Sequence, residues 1–223
     1  WLPAPSALDR GHYAFQTTAP AAVHDMRDAL GSGAVALYEK EHPVEGVGSY
    51  TGIDAVHRVA RATTVTEADF DRGTVEESVR GVGFTEDGTR HGYTVFTSDG
   101  PRAGAVGDGV LVTAGRFSST DTSDKRPVVE AVVDAGTGNA DRYASVTACD
   151  RLLSDLGDAH VLRGRTHEPG ATFEGAVAEG FALGVGRDET AARAAVVFAG
   201  GAADESAVAE WAGGAEAFYG RDP

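Results

Sequence analysis

YTVFTSDGPRAGAVGDGVLVTA, residues 93–114, is the stretch that decides the fold class. Asp99-Gly100 and Asp108-Gly109 divide it into three short runs of strand-forming residues, at 93–97, 102–106 and 110–114. Asp-Gly pairs favour the tight turns with positive φ that connect antiparallel strands. The segment therefore predicts a three-stranded antiparallel meander.

Outward from this meander, strand and helix patterns come in groups and do not alternate one by one. Val75, Val79 and Val82 fall on one face of a helix that Asp69 or Asp71 would cap. Glu86-Asp87-Gly88 is interpreted as a turn. Val56, Val59 and Ala62 lead into a β-branched strand at 63–66. The other predicted elements are a strand at 12–17, a helix in two pieces from Pro20, helices from Pro127 to Gly136 and over 140–156, a strand from Val161, two strands within 172–198 and a final helix from Asp204.

Grouped strands with helices between them are typical of an α+β fold. We therefore expect largely antiparallel sheets with helices packed on them. Residues 1–11 are interpreted as an N-terminal linker and 12–223 as one α+β domain. The order of elements also suggests two similar halves, 12–116 and 127–223, although no residue-level repeat relates them.

The composition is strongly acidic and unusually poor in lysine. The 223 residues carry 34 acidic and 19 basic side chains, a formal net charge of −15. Lys40 and Lys125 are the two lysines, and Asn139, Gln16 and Ile53 are single occurrences of their types. Carboxylates stay hydrated when salt competes for water, and at molar salt their repulsion is screened over about 3 Å. We interpret the composition as haloarchaeal.

The charge also argues against a nucleic-acid partner, because binding phosphate backbones needs a basic patch that releases counterions. The densest basic segment, Arg163-Gly164-Arg165, is short and is interpreted as a solvated strand edge. No run of about 20 apolar residues, the length of a membrane helix, is present.

No motif assigns catalytic, cofactor-binding or metal-ligating residues, and none are predicted. The seven histidines lack HExxH or HxH spacing. The glycine-rich stretches at 46–52 and 184–189 lack a phosphate-binding pattern, and GxSxG is absent. Carboxylate pairs such as Glu76-Glu77 are expected by chance, and the loop at 121–124 lacks the EF-hand pattern. Cys149 is the single cysteine of the sequence, so an intrachain disulfide is excluded. Its spacing places it on the apolar face of a helix, where we expect it to pack in the core. The histidines are His12, His24, His42, His57, His91, His160 and His167.

Four segments carry a resemblance to a known group of proteins: WLPAP at 1–5 followed by HYAF at 12–15, FDR at 70–72, HGYTVF at 91–96 and AVGDGVLV at 105–112. Together they resemble uncharacterised haloarchaeal exported proteins, which are often predicted lipoproteins. More loosely, the chain is similar to bacterial exported proteins of unknown function. The resemblance implies export and a lipid-bearing cysteine before Trp1, and it carries no biochemical activity.

These observations lead to one expectation and two alternatives. We expect a non-enzymatic extracytoplasmic domain of a haloarchaeal cell-surface protein, with a binding or structural role. Its partner would be an envelope protein or ligand, and its contact with the membrane would be only through an N-terminal anchor. The alternatives are a hydrolase whose site is assembled only in the fold, and a small-ligand carrier.

Overall fold

The computed structural model describes residues 1–29, 39–60, 63–115, 124–166, 175–186 and 190–199, together with Ser206 and Ala209. The strands are β1 Ala14–Thr18, β2 Ile53–Val59, β3 Thr63–Ala68, β4 Phe84–Arg90, β5 Tyr93–Ser98, β6 Ala103–Gly107, β7 Val110–Ala114, β8 Val161–Thr166, β9 Ala176–Val185 and β10 Thr190–Phe198. The helices in the same ranges are α1 Pro20–Asp25, α2 Arg72–Gly81, α3 Arg126–Thr137 and α4 Thr147–Leu156. Short 3₁₀ turns cover Pro5–Leu8, Arg27–Ala29, Tyr50–Gly52 and Tyr143–Ser145.

All ten described strands belong to one sheet, in the order β10-β9-β8-β1-β2-β3-β7-β6-β5-β4. Every neighbouring pair is antiparallel. The predicted α+β class with a largely antiparallel sheet is therefore confirmed, and so is the three-stranded meander, as β5, β6 and β7. β1 joins the part of the sheet formed by residues 53–114 to the part formed by residues 161–198. Phe15 lies opposite Val59 of β2 on one side and opposite Gly164 of β8 on the other.

Each face of the sheet has its own apolar core. Face A, which carries Phe15, Val59 and Val112, packs against α3 and α4 through a set of side chains that includes Val129 and Leu152. The opposite surface, face B, carries Phe96 and Leu111, and these pack with Val75 and Val79 of α2. Side chains alternate between the faces along a strand, and β2, β3, β6 and β7 each supply both cores.

Local signals start α1, α2 and α3, and end α3, near the residues that the sequence indicates. The Asp71 carboxylate accepts a hydrogen bond from the Thr74 N–H at 2.8 Å and caps α2. Proline lies in the first turn of α1 and of α3, where a missing N–H costs little. Gly138, with a φ of 77°, ends α3 in the left-handed conformation that glycine adopts most readily.

Three local predictions are wrong, each for a long-range reason. Glu86-Asp87-Gly88 is not a turn but part of β4, where a register shift between Glu86 and Thr89 accommodates one extra residue. Val56 and Val59, which were expected to lead into the strand at 63–66, lie in a separate strand, β2, that covers residues 53–59 and pairs antiparallel with β3. β2 ends before Ala60, which has a φ of 47°. The helix predicted over 140–156 starts only at Thr147, because the backbone before it is hydrogen-bonded to the N-terminal segment. The Asp141 carbonyl accepts from the Ala4 N–H at 2.9 Å, and the Tyr143 N–H donates to the Leu2 carbonyl at 2.7 Å.

The segment 1–11, interpreted from sequence as a linker, lies against α3 and the stretch before α4. The indole of Trp1 covers Gly136 so closely that a Cβ atom at this glycine would overlap the ring. Ala4 and Pro5 are buried. The final helix predicted from Asp204 falls largely outside the described residues. The similarity of the halves 12–116 and 127–223 stays a prediction; in the structure both contribute strands to the same sheet.

None of the helices within the described ranges combines the length and the apolar character that crossing a bilayer requires.

Candidate functional site

A group of polar side chains on face A forms a row across β1, β2 and β3. Thr17 lies directly opposite His57 in the β1–β2 pairing. Glu67 lies one diagonal step further along β3, opposite Ala55. Since residues two apart along a strand share a face, Thr17 is in phase with Phe15, and His57 with Val59. The row therefore borders the apolar core of face A.

The three side chains form a continuous hydrogen-bonded chain. Thr17 Oγ1 and His57 Nδ1 are 3.0 Å apart, and His57 Nε2 and Glu67 Oε1 are 2.8 Å apart. The indole N–H of Trp1 also donates to Glu67 Oε1. A neutral His57 with its proton on Nε2 satisfies both contacts, because it donates to Glu67 and accepts from the Thr17 hydroxyl.

The surroundings of the row favour an ionised Glu67. The hydrogen bond from His57 lowers the pKa of the Glu67 carboxyl, burial opposes that shift, and the Trp1 indole adds to it. The side chains of His57 and Glu67 are 17% and 34% exposed. Tyr93, whose ring meets that of Trp1 edge-on, has a pKa raised by burial and by the charge on Glu67.

This geometry differs from that of a hydrolytic triad. In a triad the nucleophile contacts Nε2 of histidine and the carboxylate holds Nδ1, which is the reverse of the order in this row. Thr17 also lies within a regular strand that pairs with His57 of β2 on one side and Leu162 of β8 on the other. Its backbone N–H is thus engaged in a sheet ladder and is not presented to an oxyanion. The row is best suited to tying three strands together beneath Trp1.

Two further charged clusters tie helices to the sheet. Glu76 on α2 accepts hydrogen bonds from Arg72 Nε at 2.9 Å and from the Thr94 hydroxyl of β5 at 2.7 Å. On face A, the Arg90 guanidinium donates through Nε and Nη2 to the two carboxylate oxygens of Asp134 on α3. His91 Nε2 lies 3.2 Å from Oδ1 of the same carboxylate. The pKa of Asp134 is lowered, first of all by its hydrogen bond with Arg90.

The remaining histidines within the described ranges lie in different segments of the chain. His42 Nδ1 accepts from the Val44 N–H at 3.1 Å, and burial lowers the pKa of His42. His160 Nδ1 accepts from the Val185 N–H at 2.9 Å. His12 lies before β1, and His24 lies within α1. His167 is outside the described residues. Within the described ranges, no three histidine, cysteine or acidic side chains come together in a way that could hold a metal ion.

The other features singled out from the sequence are structural wherever they are described. Cys149 is fully buried on α4, as its spacing predicts, and burial raises the pKa of its thiol to about 12. Gly46 and Gly48 have φ of 90° and 88° in the loop before β2. Asp124 accepts from the Arg126 N–H at 2.9 Å at the start of α3, whereas residues 121–123 and 187–189 lie outside the described residues.

The interpretation of Arg163-Gly164-Arg165 as a strand edge is wrong, because β8 is an interior strand between β1 and β9. Arg163 is exposed, and Arg165 Nε donates to Glu179 Oε1 at 2.6 Å across the β8–β9 pair. Gly164 is required by packing, since a Cβ atom there would lie 2.5 Å from the ring of Phe15.

The Thr17–His57–Glu67 row was not found from the sequence, which treated His57 only as a metal-ligand candidate. A signal was available. His57 is in phase with the buried Val59, and Glu67 is in phase with the buried Val65, so two polar side chains fall on the core face of one hairpin. Recognising this signal requires residues 53–59 and 63–68 to be predicted as two separate strands.

Fold and site together define a class: an α+β protein built on a ten-stranded antiparallel sheet, with a hydrogen-bonded polar row and no assigned active centre in its described part. No protein-family model matches the chain, and no curated protein matches it. Solved structures of TP0453 are similar to the chain at low sequence identity. Crystal form III has a TM-score of 0.47 at 11% identity, covering 95% of this chain and 86% of the other. Crystal form I has a TM-score of 0.47 at 12% identity, with 95% and 84% covered. Crystal form IV has a TM-score of 0.44 at 12% identity, with 87% and 80% covered.

Proposed function

We propose that this chain is a non-enzymatic extracytoplasmic domain of a haloarchaeal cell-surface protein, and that its role is to bind another envelope component. The observation that carries the binding role is the outer edge of β10. Among the described strands β10 lies at one end of the sheet, and its first five residues, Thr190 to Ala194, are all exposed. An exposed, nearly uncharged edge strand is a template for pairing with another chain.

High salt favours this mode of binding over an electrostatic one. At molar salt, charges further apart than about 3 Å are screened from one another, so exposed arginines such as Arg58 and Arg163 attract a partner weakly. Backbone hydrogen bonds between strands and contacts between small apolar side chains do not depend on long-range charge. The acidic surface then keeps the rest of the molecule hydrated.

The cell-surface assignment is supported by the acidic, lysine-poor composition and by the resemblance of four segments to haloarchaeal exported proteins. Its test is to express the full native gene product in a haloarchaeal host and to treat intact cells with a protease that is active in high salt. We expect the chain to be cleaved on intact cells and to fractionate with membranes. A cytoplasmic halophilic protein in the same cells serves as the control and stays uncut. Recovery of the native chain in the cytosol, protected until lysis, would contradict the assignment.

A second candidate, a hydrolase that uses the Thr17 hydroxyl, rests only on the contacts among Thr17, His57 and Glu67, whose order is the reverse of that in a hydrolytic triad. Ester, phosphate, peptide and glycoside substrates at molar KCl test this candidate, and we expect no turnover from the purified chain. Thr17→Val removes the hydroxyl from the row, and Thr18→Val removes the neighbouring hydroxyl on face B as a matched control. A reproducible activity that Thr17→Val abolishes and Thr18→Val preserves would establish the hydrolase and overturn the non-enzymatic proposal.

A further inference from the structure

Two exposed arginines lie near each other on face B, although they are far apart in sequence. Arg58 of β2 lies opposite Gln16 of β1, and Gln16 lies opposite Arg163 of β8. Each of the three follows or precedes a residue that faces A, so all three belong to face B. Adjacent strands are about 4.8 Å apart, so the backbones of the two arginines are about 10 Å apart.

Hydroxyl side chains continue this line across the sheet. Thr64 of β3 lies opposite Arg58, and Thr113 of β7 lies opposite Thr64. We call Thr113, Thr64, Arg58, Gln16 and Arg163 the arginine row. The two arginines are exposed, and the other three residues are half-buried. Within the part of the chain that the structure describes, none of these five side chains forms a hydrogen bond or an ion pair.

Arginines without a carboxylate partner are unexpected in a chain with 34 acidic and 19 basic side chains. Elsewhere arginines hold carboxylates, as Arg72 holds Glu76 on α2. Among the described strand positions opposite or diagonal to the two arginines of the row, the one carboxylate is Glu179 of β9. Arg165 Nε donates to this carboxylate at 2.6 Å. The arginine row is therefore a cationic strip that the acidic side chains of the surface leave uncovered.

The side chains of the row favour a ligand that is rich in oxygen and carries carboxylates. A guanidinium presents a planar fork of N–H donors that matches a carboxylate through two parallel hydrogen bonds. The amide and the two hydroxyls between and beside the arginines donate to or accept from ligand hydroxyl groups. Protein partners are instead held by apolar and aromatic anchors. The row contains no such anchor, and Phe181, which lies opposite Arg163 on β9, is half-buried.

We infer that the arginine row binds an acidic glycan, a sugar chain that carries carboxylates. One carboxylate contacts Arg58 and another contacts Arg163, while sugar hydroxyls contact Gln16, Thr64 and Thr113. This site goes beyond the binding role proposed for the edge of β10, because it concerns a different surface. β9 and β10 separate Arg163 from that outer edge.

Molar salt permits this contact. Attraction over more than about 3 Å is screened there, so the arginines do not draw the glycan from a distance. A bidentate contact between guanidinium and carboxylate spans about 2.7–2.9 Å and lies within the screening length. The same screening removes the repulsion between the glycan and a chain with a net charge of −15, which extends about 10 Å at 0.1 M salt. Binding is therefore expected at molar KCl.

Calorimetric titration of the purified chain with three probes at molar KCl tests the ligand class. Oligogalacturonate supplies carboxylates on a hydroxylated sugar chain and is expected to bind. A neutral maltooligosaccharide of the same length lacks the carboxylates, and an oligoglutamate of the same charge lacks the sugar hydroxyls. Both should bind at least about tenfold more weakly, because each loses one class of contact with the row.

Substitutions of the exposed arginines locate the site. Arg58→Gln and Arg163→Gln should each weaken oligogalacturonate binding by about tenfold or more, the typical effect of losing a charge-assisted contact. Arg163→Lys keeps the charge without the planar fork and should also weaken binding. The matched control is Arg151→Gln, which removes an exposed arginine from α4 on the other side of the sheet and should leave binding unchanged. Circular dichroism melts verify that every variant is folded.

Each outcome supports or overturns the site. Binding of oligogalacturonate that both row variants weaken, and that Arg151→Gln leaves intact, supports it. Failure of oligogalacturonate to bind at molar KCl, or an equal loss in Arg151→Gln, overturns it. Equal binding of the neutral sugar would show that the carboxylates are not recognised, and equal binding of oligoglutamate would indicate an acidic peptide instead; either result overturns the acidic glycan. None of these results changes the binding role of the β10 edge.

Discussion

Adding a single methyl group at Gly180 should destabilise the protein, because α4 approaches the sheet over this residue. An ideal Cβ atom at Gly180 would lie 2.7 Å from Leu156 Cδ1 and 2.8 Å from the Arg163 carbonyl oxygen. The carbonyl belongs to the neighbouring strand β8 and cannot rotate away as a side chain can. Gly180→Ala therefore forces either α4 or the β8–β9 pair to move.

The net effect combines two terms of opposite sign. Overpacking in a close-packed core costs about 1–3 kcal/mol. Replacing glycine by alanine within a strand returns about 0.5–1 kcal/mol through the lost freedom of the unfolded chain. We expect a net loss of about 1–2 kcal/mol in the free energy of unfolding. For a domain of this size that loss corresponds to a fall of about 2–8 °C in the thermal midpoint.

The matched control is Gly184→Ala on the same strand and the same face. A Cβ atom at Gly184 meets only the Ala191 carbonyl oxygen, at 3.9 Å, so the substitution should leave the midpoint unchanged or raise it. Both variants are measured by circular dichroism melts at molar KCl. In a Leu156→Ala background, the cost of Gly180→Ala should fall, since one of its two close contacts has been removed. Equal midpoints for the Gly180 and Gly184 variants would refute the close approach of α4.

Three other measurements follow from the structure. The thermal midpoint should rise steeply between 0.1 M and molar KCl, because the net charge of −15 repels itself in dilute buffer; a flat or falling curve would remove the physical support for a halophilic surface. Glu67→Gln should lower the midpoint at pH 7. The pKa of Glu67 is depressed in the folded state, so its contribution is present above the ordinary value of 4.5 and is lost as the pH falls further. The difference between Glu67→Gln and the native chain should accordingly shrink in melts below pH 4.5; a difference that grows there would contradict the His57–Glu67 contact. Cys149, with a pKa of about 12 caused by burial, should resist a thiol reagent at pH 8 until the chain is unfolded in denaturant, and rapid labelling of the folded protein would show that α4 opens.

The chemistry of the polar row depends on pairings that connect distant parts of the chain. Thr17 and His57 are 40 residues apart in sequence, and His57 and Glu67 are ten apart. Each of the three is unremarkable within its own segment. They converge because β1, β2 and β3 pair in one register, and a shift by one residue would turn every one of them to the other face.

The sequence by itself determined the elements that depend on neighbouring residues. Asp-Gly turns defined the meander at 93–114, an aspartate (Asp69 or Asp71) was expected to cap α2, and the glycines at 136–138 were expected to end α3, since turns and caps are set by backbone preferences within a few residues. The structure selects Asp71 and Gly138. The tertiary structure alone decided that Glu86–Gly88 continues a strand, that β8 is an interior strand and that β10 is an edge. These outcomes depend on which strands lie side by side. That choice is made by burying the apolar side chains of both faces at once, and no local segment contains that information.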